Sequence, residues 1–317
     1  MTLSLASLTL GTATLGNLFE AVGEGQAQAV LEAAWNCGIR SFDTAPHYGL
    51  GLSETRLGRF LRGMPMQDVK VSTKVGRLLR PNPGGPKRDP ELFDVPGTLT
   101  RVWDFSDSGV RASLGESLDR MGLDRVHTLY LHDPEKAPNP DEARNTGLPA
   151  LAVLRDERLV SRIGVGSMDE QALFAAAEHA GTDELMVAGR HTLIDHTAAA
   201  RLLPACRASG VTVAATAVYN SGLLATVRPS GRFDYAQASP EMLARADRLA
   251  DICIAHGTDL PTAALHYAAL DPAVTSVVFG ARTPAQVREN VERATATPEP
   301  ALWEALQAEG LVPAVVA

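Results

Sequence analysis

Ile39-Arg-Ser-Phe-Asp-Thr-Ala-Pro-His-Tyr-Gly-Leu-Gly-Leu-Ser-Glu54 is the stretch from which the fold is read. Ile39 to Phe42 is a short apolar strand that runs straight into a carboxylate, Asp43. A loop containing Pro and Gly then carries Tyr48, and Ser53 opens a helix over Glu54 to Leu61. An ionised carboxylate at the end of a buried strand is costly unless a cation pairs with it. The stretch therefore calls for a partner to Asp43 and a use for the phenol of Tyr48.

Outward from this stretch the same strand-then-helix unit recurs. Strands read at Leu8 to Gly11, Val69 to Val75, Val126 to His132, Arg162 to Ser167, Leu185 to Gly189, Val211 to Ala217 and Val274 to Phe279. Between them lie helical patterns, among them Glu24 to Gly38, Asp107 to Gly122, Asp141 to Arg158, Asp169 to Ala180, Thr197 to Ser209, Pro240 to His256 and Pro284 to Ala294. In the first of these, Ala27, Val30, Leu31, Ala34 and Trp35 share one face, and Gly38 is a natural helix end. Alternation of this kind implies parallel βαβ units. Eight strands in one chain without a linker point to an α/β fold of the (β/α)8 TIM-barrel type, a single domain over residues 1–317. No GxGxxG follows the first strand, which argues against a Rossmann sheet.

Composition narrows the function. The chain has 317 residues, 45% hydrophobic and 21% charged, with a formal charge of −8. That balance suits a soluble globular protein with a large core, and the negative charge argues against nucleic acid, whose binding rests on clustered Lys and Arg. Cys37, Cys206 and Cys253 have no metal or redox spacing and read as reduced thiols. Met1 to Leu18 lacks the basic and apolar regions of a signal peptide, and no apolar run is long enough for a membrane span. The expectation is a cytoplasmic protein, monomer or small homo-oligomer, acting on a small molecule without a metal.

Active sites of such barrels lie at the C-terminal ends of the strands. Those ends supply Asp43 after the second strand, Lys74 after the third and His132 after the fourth, with Tyr48 on the loop above. A free phenol has a pKa near 10, too high for proton transfer near neutrality. A Lys74 ammonium beside it is expected to lower that value, Asp43 to hold the ammonium, and His132 to hold the substrate oxygen. The group has neither a nucleophile nor metal ligands; it moves protons and needs a hydride carrier, such as a nicotinamide.

These four residues, in Phe-Asp-Thr-Ala-Pro-His-Tyr-Gly, Ser-Thr-Lys-Val-Gly and Leu-Tyr-Leu-His-Asp-Pro, resemble the catalytic tetrad of the aldo-keto reductase superfamily. The resemblance runs from Leu8 to about Ala294. It implies a barrel closed below by an N-terminal hairpin, Tyr48 as general acid/base tuned by Lys74 and Asp43, and His132 as the orienting group. It further implies NAD or NADP held by Ser167, by Tyr219, Ser221 and Leu223, and by Gly280, Arg282, Thr283, Gln286, Glu289 and Asn290. Tyr219 would stack on the nicotinamide. Two departures stand out. NADP-preferring members often carry a cation where this chain has Gly280 and Gln286, which favours NAD, with Arg282 near enough to keep NADP open. The Asn that usually follows Ser167 and holds the carboxamide is Met168.

The long Pro/Gly-rich insertion Gly76 to Ser106, the His132-Asp-Pro motif and Gly189-Arg-His-Thr-Leu resemble the branch of D-threo-aldose, L-fucose, L-galactose and pyridoxal 4-dehydrogenases. His191 stands where that branch commonly has another aromatic. The branch implies oxidation of a cyclic hemiacetal to a lactone. His47 is expected at the substrate, and Trp103 and Phe105 either wall the pocket with it or pack the insertion on the barrel. The basic stretch Lys70 to Arg88 reads as a solvated face. Pyridoxal oxidation and a cofactor-binding regulatory or redox-sensing subunit are the alternatives.

Overall fold

A computed structural model describes residues 3–314; the expected domain span of 1–317 extends beyond these at both ends. Eight strands form a closed parallel barrel: β1 (Leu8–Gly11), β2 (Ser41–Asp43), β3 (Lys70–Val75), β6 (Val126–His132), β7 (Val160–Ser167), β8 (Glu184–Ala188), β9 (Thr212–Thr216) and β12 (Val274–Gly280). Two antiparallel hairpins, β4 (Arg77–Pro81) with β5 (Leu99–Trp103) and β10 (Arg232–Phe233) with β11 (Ala236–Gln237), stand outside it. The helices are α1 (Glu24–Asn36), α2 (Leu52–Leu61), α3 (Asp107–Met121), α4 (Pro140–Asp156), α5 (Glu170–Glu178), α6 (Leu202–Ser209), α7 (Pro240–Ala255), α8 (Leu260–Ala268), α9 (Pro284–Thr295) and α10 (Pro300–Ala308).

The apolar face of α1 buries Ala27, Val30, Leu31, Ala33 and Ala34 in the main core, and Gly38, at φ 91°, ends the helix in a conformation that a side chain would strain. Trp35 is half-buried under the guanidinium of Arg40, 3.7 Å from its ring. The main core fills the space between barrel and helices. Tyr130, Met186, Ala214 and Val278 form a separate apolar layer, contributed by four of the barrel strands. All three cysteines are thiols, Cys206 and Cys253 buried and Cys37 half-buried.

Three expectations change. The N-terminal hairpin is not found among the described residues: Leu5–Ser7 is a single 3₁₀ turn leading into β1. There the Ser4 backbone N–H donates to Ser7 Oγ at 3.1 Å and Ser7 Oγ–H donates to Ser4 O at 2.8 Å, local bonds that compete with a strand ladder. The insertion after β3 is built around the β4–β5 hairpin, with Arg77 opposite Trp103 and Pro81 opposite Leu99. Ser53 does not open α2, which starts at Leu52 behind Gly51. Its buried hydroxyl joins three segments instead, meeting Thr12 Oγ1 at 2.7 Å and Thr44 Oγ1 at 2.9 Å and donating to Thr12 O at 2.9 Å.

Candidate active site

Asp43 ends β2 and Lys74 lies near the end of β3. Lys74 Nζ donates to Asp43 Oδ2 at 2.7 Å and to Thr44 O at 3.0 Å, and Ser72 Oγ donates to Asp43 Oδ1 at 2.7 Å. Both ionic side chains are almost fully buried, at 3% and 2% exposed. Desolvation opposes both charges; hydrogen bonds to each carboxylate oxygen and to the ammonium offset it. Burial pulls the Lys74 pKa down, but the Asp43 carboxylate and then Tyr48 outweigh it, so the ammonium is held above its ordinary range.

Tyr48 sits over this pair, its ring centroid 4.7 Å from Lys74 Nζ. Its loop rests on the β1–α1 connection with no room to spare. A Cβ on Gly16 would lie 2.6 Å from the Tyr48 carbonyl carbon, and one on Gly49, at φ 64°, would lie 2.2 Å from Gly16 O. Contact between two glycine backbones therefore sets the height of the phenol. The expected lowering of the Tyr48 pKa is not the net result. Burial raises it, Lys74 lowers it and Asp43 raises it, and burial wins.

His132 ends β6 with its ring edge-on to Tyr48 at 6.0 Å between centroids. Burial, then the cations Arg77 and Lys74, hold its pKa well below the usual imidazole range, so the ring is neutral. A neutral imidazole beside a phenol over a lysine can hold an oxygen and exchange its proton. Asp43, Tyr48, Lys74 and His132 are thus brought to one point at the barrel mouth.

The surrounding wall was only partly foreseen. Phe93, 6.0 Å from the Tyr48 ring and 5.1 Å from His47, forms one side. His47 lies 5.4 Å from His132. Arg77 pairs with Asp133 beside His132, and Arg80 and Arg88 pair with Glu116 and Asp94, so these arginines of the Lys70–Arg88 stretch are neutralised locally. Trp103 stacks on Phe105 at 6.0 Å under the Arg77 guanidinium. Phe105 is buried directly beneath Gly76, where a Cβ would lie 2.1 Å from its ring. That contact places Phe105 at the root of the hairpin, in the core. Phe93 and the hairpin's Arg101 escaped notice because Gly84, Gly85 and the surrounding prolines masked the alternation of Leu99-Thr-Arg-Val-Trp103.

Of the residues expected at a cofactor, Ser167 is buried at the end of β7, its Oγ accepting from Asp169 N at 2.8 Å. Tyr219 donates its hydroxyl to Asn290 Oδ1, which ties the segment after β9 to α9. Ser221 Oγ accepts from Tyr235 N at 3.0 Å and Leu223 is buried. Thr283 caps α9, accepting from Gln286 N at 3.2 Å, and Gln286 Oε1 accepts from Arg282 N at 2.7 Å. Glu289 is exposed on the same helix, 3.7 Å from Arg293. Gly280 is exposed, and a Cβ there would meet only Thr14, at 3.8 Å. The Arg282 guanidinium is engaged by Leu18 O and, at 3.0 Å, by Glu20. Across the mouth, Tyr235 meets Phe19 at 6.2 Å, Arg232 lies 4.5 Å over the same ring, and Arg190 joins Asp234, Asp195 and Met168 O. Asn220 Oδ1 and Glu135 Oε2 are buried with no hydrogen-bond partner among the described residues. The capped helix start and these unmet acceptors fit a dinucleotide with an amide group.

A model of the aldo/keto reductase family matches residues 7–303. The chain is 47% identical to a D-threo-aldose 1-dehydrogenase of Pseudomonas sp., over 98% of this chain and 96% of that protein. It is 36% identical to the pyridoxal 4-dehydrogenase of Microbacterium luteolum, over 98% and 95%. Among solved structures, an aldo-keto reductase from Bacillus halodurans in its holo form superposes with a TM-score of 0.75 at 23% identity, over 98% of this chain and 93% of that one. At that identity it speaks for the barrel alone.

Proposed function

The chain belongs to the aldo/keto reductase family, and we propose that it is a nicotinamide-dependent dehydrogenase that oxidises the cyclic hemiacetal of an aldose at C1 to the lactone. The observation that carries this reading is the buried Asp43–Lys74 pair beneath Tyr48, facing a neutral His132. The similarity to D-threo-aldose 1-dehydrogenase over almost the whole chain supports the choice of substrate class.

In this reading His132 donates a hydrogen bond to the anomeric oxygen and fixes the hemiacetal over the barrel mouth. Tyr48 takes the anomeric hydroxyl proton in its phenolate form, a minor form that burial disfavours and the Lys74 ammonium favours. The Lys74 ammonium stabilises that phenolate, and Asp43 keeps the ammonium charged and aimed. A nicotinamide bound there would supply the hydride acceptor for C1. Ser167, Tyr219 and Asn290 would hold the cofactor, with the start of α9 facing its phosphate. Gly280 and Gln286 offer no cation to a 2′-phosphate, which supports NAD; the Arg282 guanidinium donates to Leu18 O through Nη2, and its Nη1 makes no hydrogen bond among the described residues.

The same machinery would serve a pyridoxal hemiacetal, and the similarity to pyridoxal 4-dehydrogenase makes this the second reading. L-Fucose, D-arabinose, L-galactose and pyridoxal, each with NAD and with NADP, separate the two by the absorbance of the reduced nicotinamide and by the lactone formed. Aldonolactone production with NAD is expected. Turnover of pyridoxal alone would move the assignment to the second reading. Cofactor binding without turnover of any of them would leave a regulatory subunit.

A further inference from the structure

Arg101, in the middle of β5, reaches out of the hairpin to the loop that carries Tyr48. Its Nε–H donates to His47 Nδ1 at 2.6 Å and its Nη2–H to His47 O at 3.1 Å. The same guanidinium grips Asp89 with two bonds of 2.7 Å each, and Asp89 is wholly buried, Arg101 almost so. An arginine does not lose its proton, so the imidazole nitrogen facing it accepts. The remaining His47 proton then sits on Nε2. That atom lies 3.5 Å from Glu91 Oε2, too far for a good hydrogen bond, on a ring 5.4 Å from His132.

We propose that Arg101, held by Asp89, is a positioning residue that locks His47 as a permanent Nε2–H donor, and that His47 and Glu91 together bind the hydroxyl next to the reacting carbon of the substrate. The second half rests on the aldose reading above. A hydroxyl both accepts and donates, and this pair offers one donor and one acceptor. Protonating Nδ1 would place an N–H against the guanidinium, so His47 stays neutral. Burial first, then the charges of Arg77 and Arg101, push its pKa in the same direction. The insertion thus contributes to specificity through Arg101, Asp89 and Glu91.

Two measurements test this. Nitrogen-15 NMR of histidine-labelled protein without substrate reads the His47 tautomer directly, and an Nε2–H ring that does not titrate between roughly pH 5 and 8 is expected. In Arg101→Met, or in Asp89→Asn/Arg101→Met where no charge is left buried alone, His47 should mix tautomers. A wild-type ring protonated on Nδ1, or a tautomer unmoved by either variant, would overturn the locking. Separately, His47→Leu should raise KM for an aldose about 10-fold more than KM for its 2-deoxy counterpart. Equal losses on both sugars would overturn the subsite. If no aldose is turned over at all, the functional reading fails while the tautomer result stands by itself.

Discussion

Lys74 has two jobs that pull in different directions on the phenol above it: it stabilises the Tyr48 phenolate, and it depends on Asp43, whose charge opposes that phenolate. Both residues were legible in the sequence because their cost in a buried strand end has few explanations. The sign of the Tyr48 shift was not legible, since it depends on how deeply the fold buries the ring. At the cofactor end a single residue decides as much. Gly280 has open space for a side chain and no cation beside it. Gly280→Lys should shift the NADP/NAD ratio of kcat/KM upward by about 10-fold or more through a charge-assisted contact. An unchanged ratio would count against placing the 2′-phosphate there.

The loop that carries Tyr48 is positioned by its neighbour more than by its own sequence. Gly16 ends a 3₁₀ turn after β1, and Gly49 follows Tyr48, with no space between them for a methyl group. Gly16→Ala pushes on backbone, which cannot swing aside as a side chain would. A displacement of several tenths of an ångström at the phenol follows, and kcat should fall by about 10- to 100-fold. Steady-state kinetics with the native turnover retained would remove this role. The barrel strands were legible because each is a short apolar run closed by turn residues. The two hairpins were not. β4 and β5 are separated by a long Pro/Gly-rich connection, and β10 and β11 are two residues each, too short for a period to show. The residues missed at the site, Phe93 and Arg101, lie in the first of these two regions.

Across the whole molecule, several histidines are folded away as neutral rings. Burial lowers His47 and His132 well below the ordinary value and takes His191 down to about 4. In the unfolded chain each would titrate near 6.5. As pH falls through that value the unfolded state gains protons that the folded state refuses, so stability present above about 6.5 is lost on acidification. For His191 the loss continues down to about pH 4 and totals on the order of 3 kcal/mol. Neither ring nitrogen of His191 has a hydrogen-bond partner among the described residues, and its ring packs 5.4 Å from Tyr267. His191→Phe should therefore flatten the fall in urea midpoint between pH 7 and pH 5 without weakening the fold at neutrality. A wild-type midpoint constant over that range would contradict the buried neutral state. No described helix is long and apolar enough to cross a membrane.

All three scales meet at Tyr48, held up by Gly16, set over the Lys74 ammonium and faced by His132. The most direct test is Tyr48→Phe, assayed with the best aldose substrate and, in parallel, by fluorescence titration of the cofactor. General acid–base catalysis by this phenol requires turnover to fall by roughly 10²- to 10⁴-fold while cofactor affinity stays nearly unchanged. Near-native turnover in that variant would contradict the account.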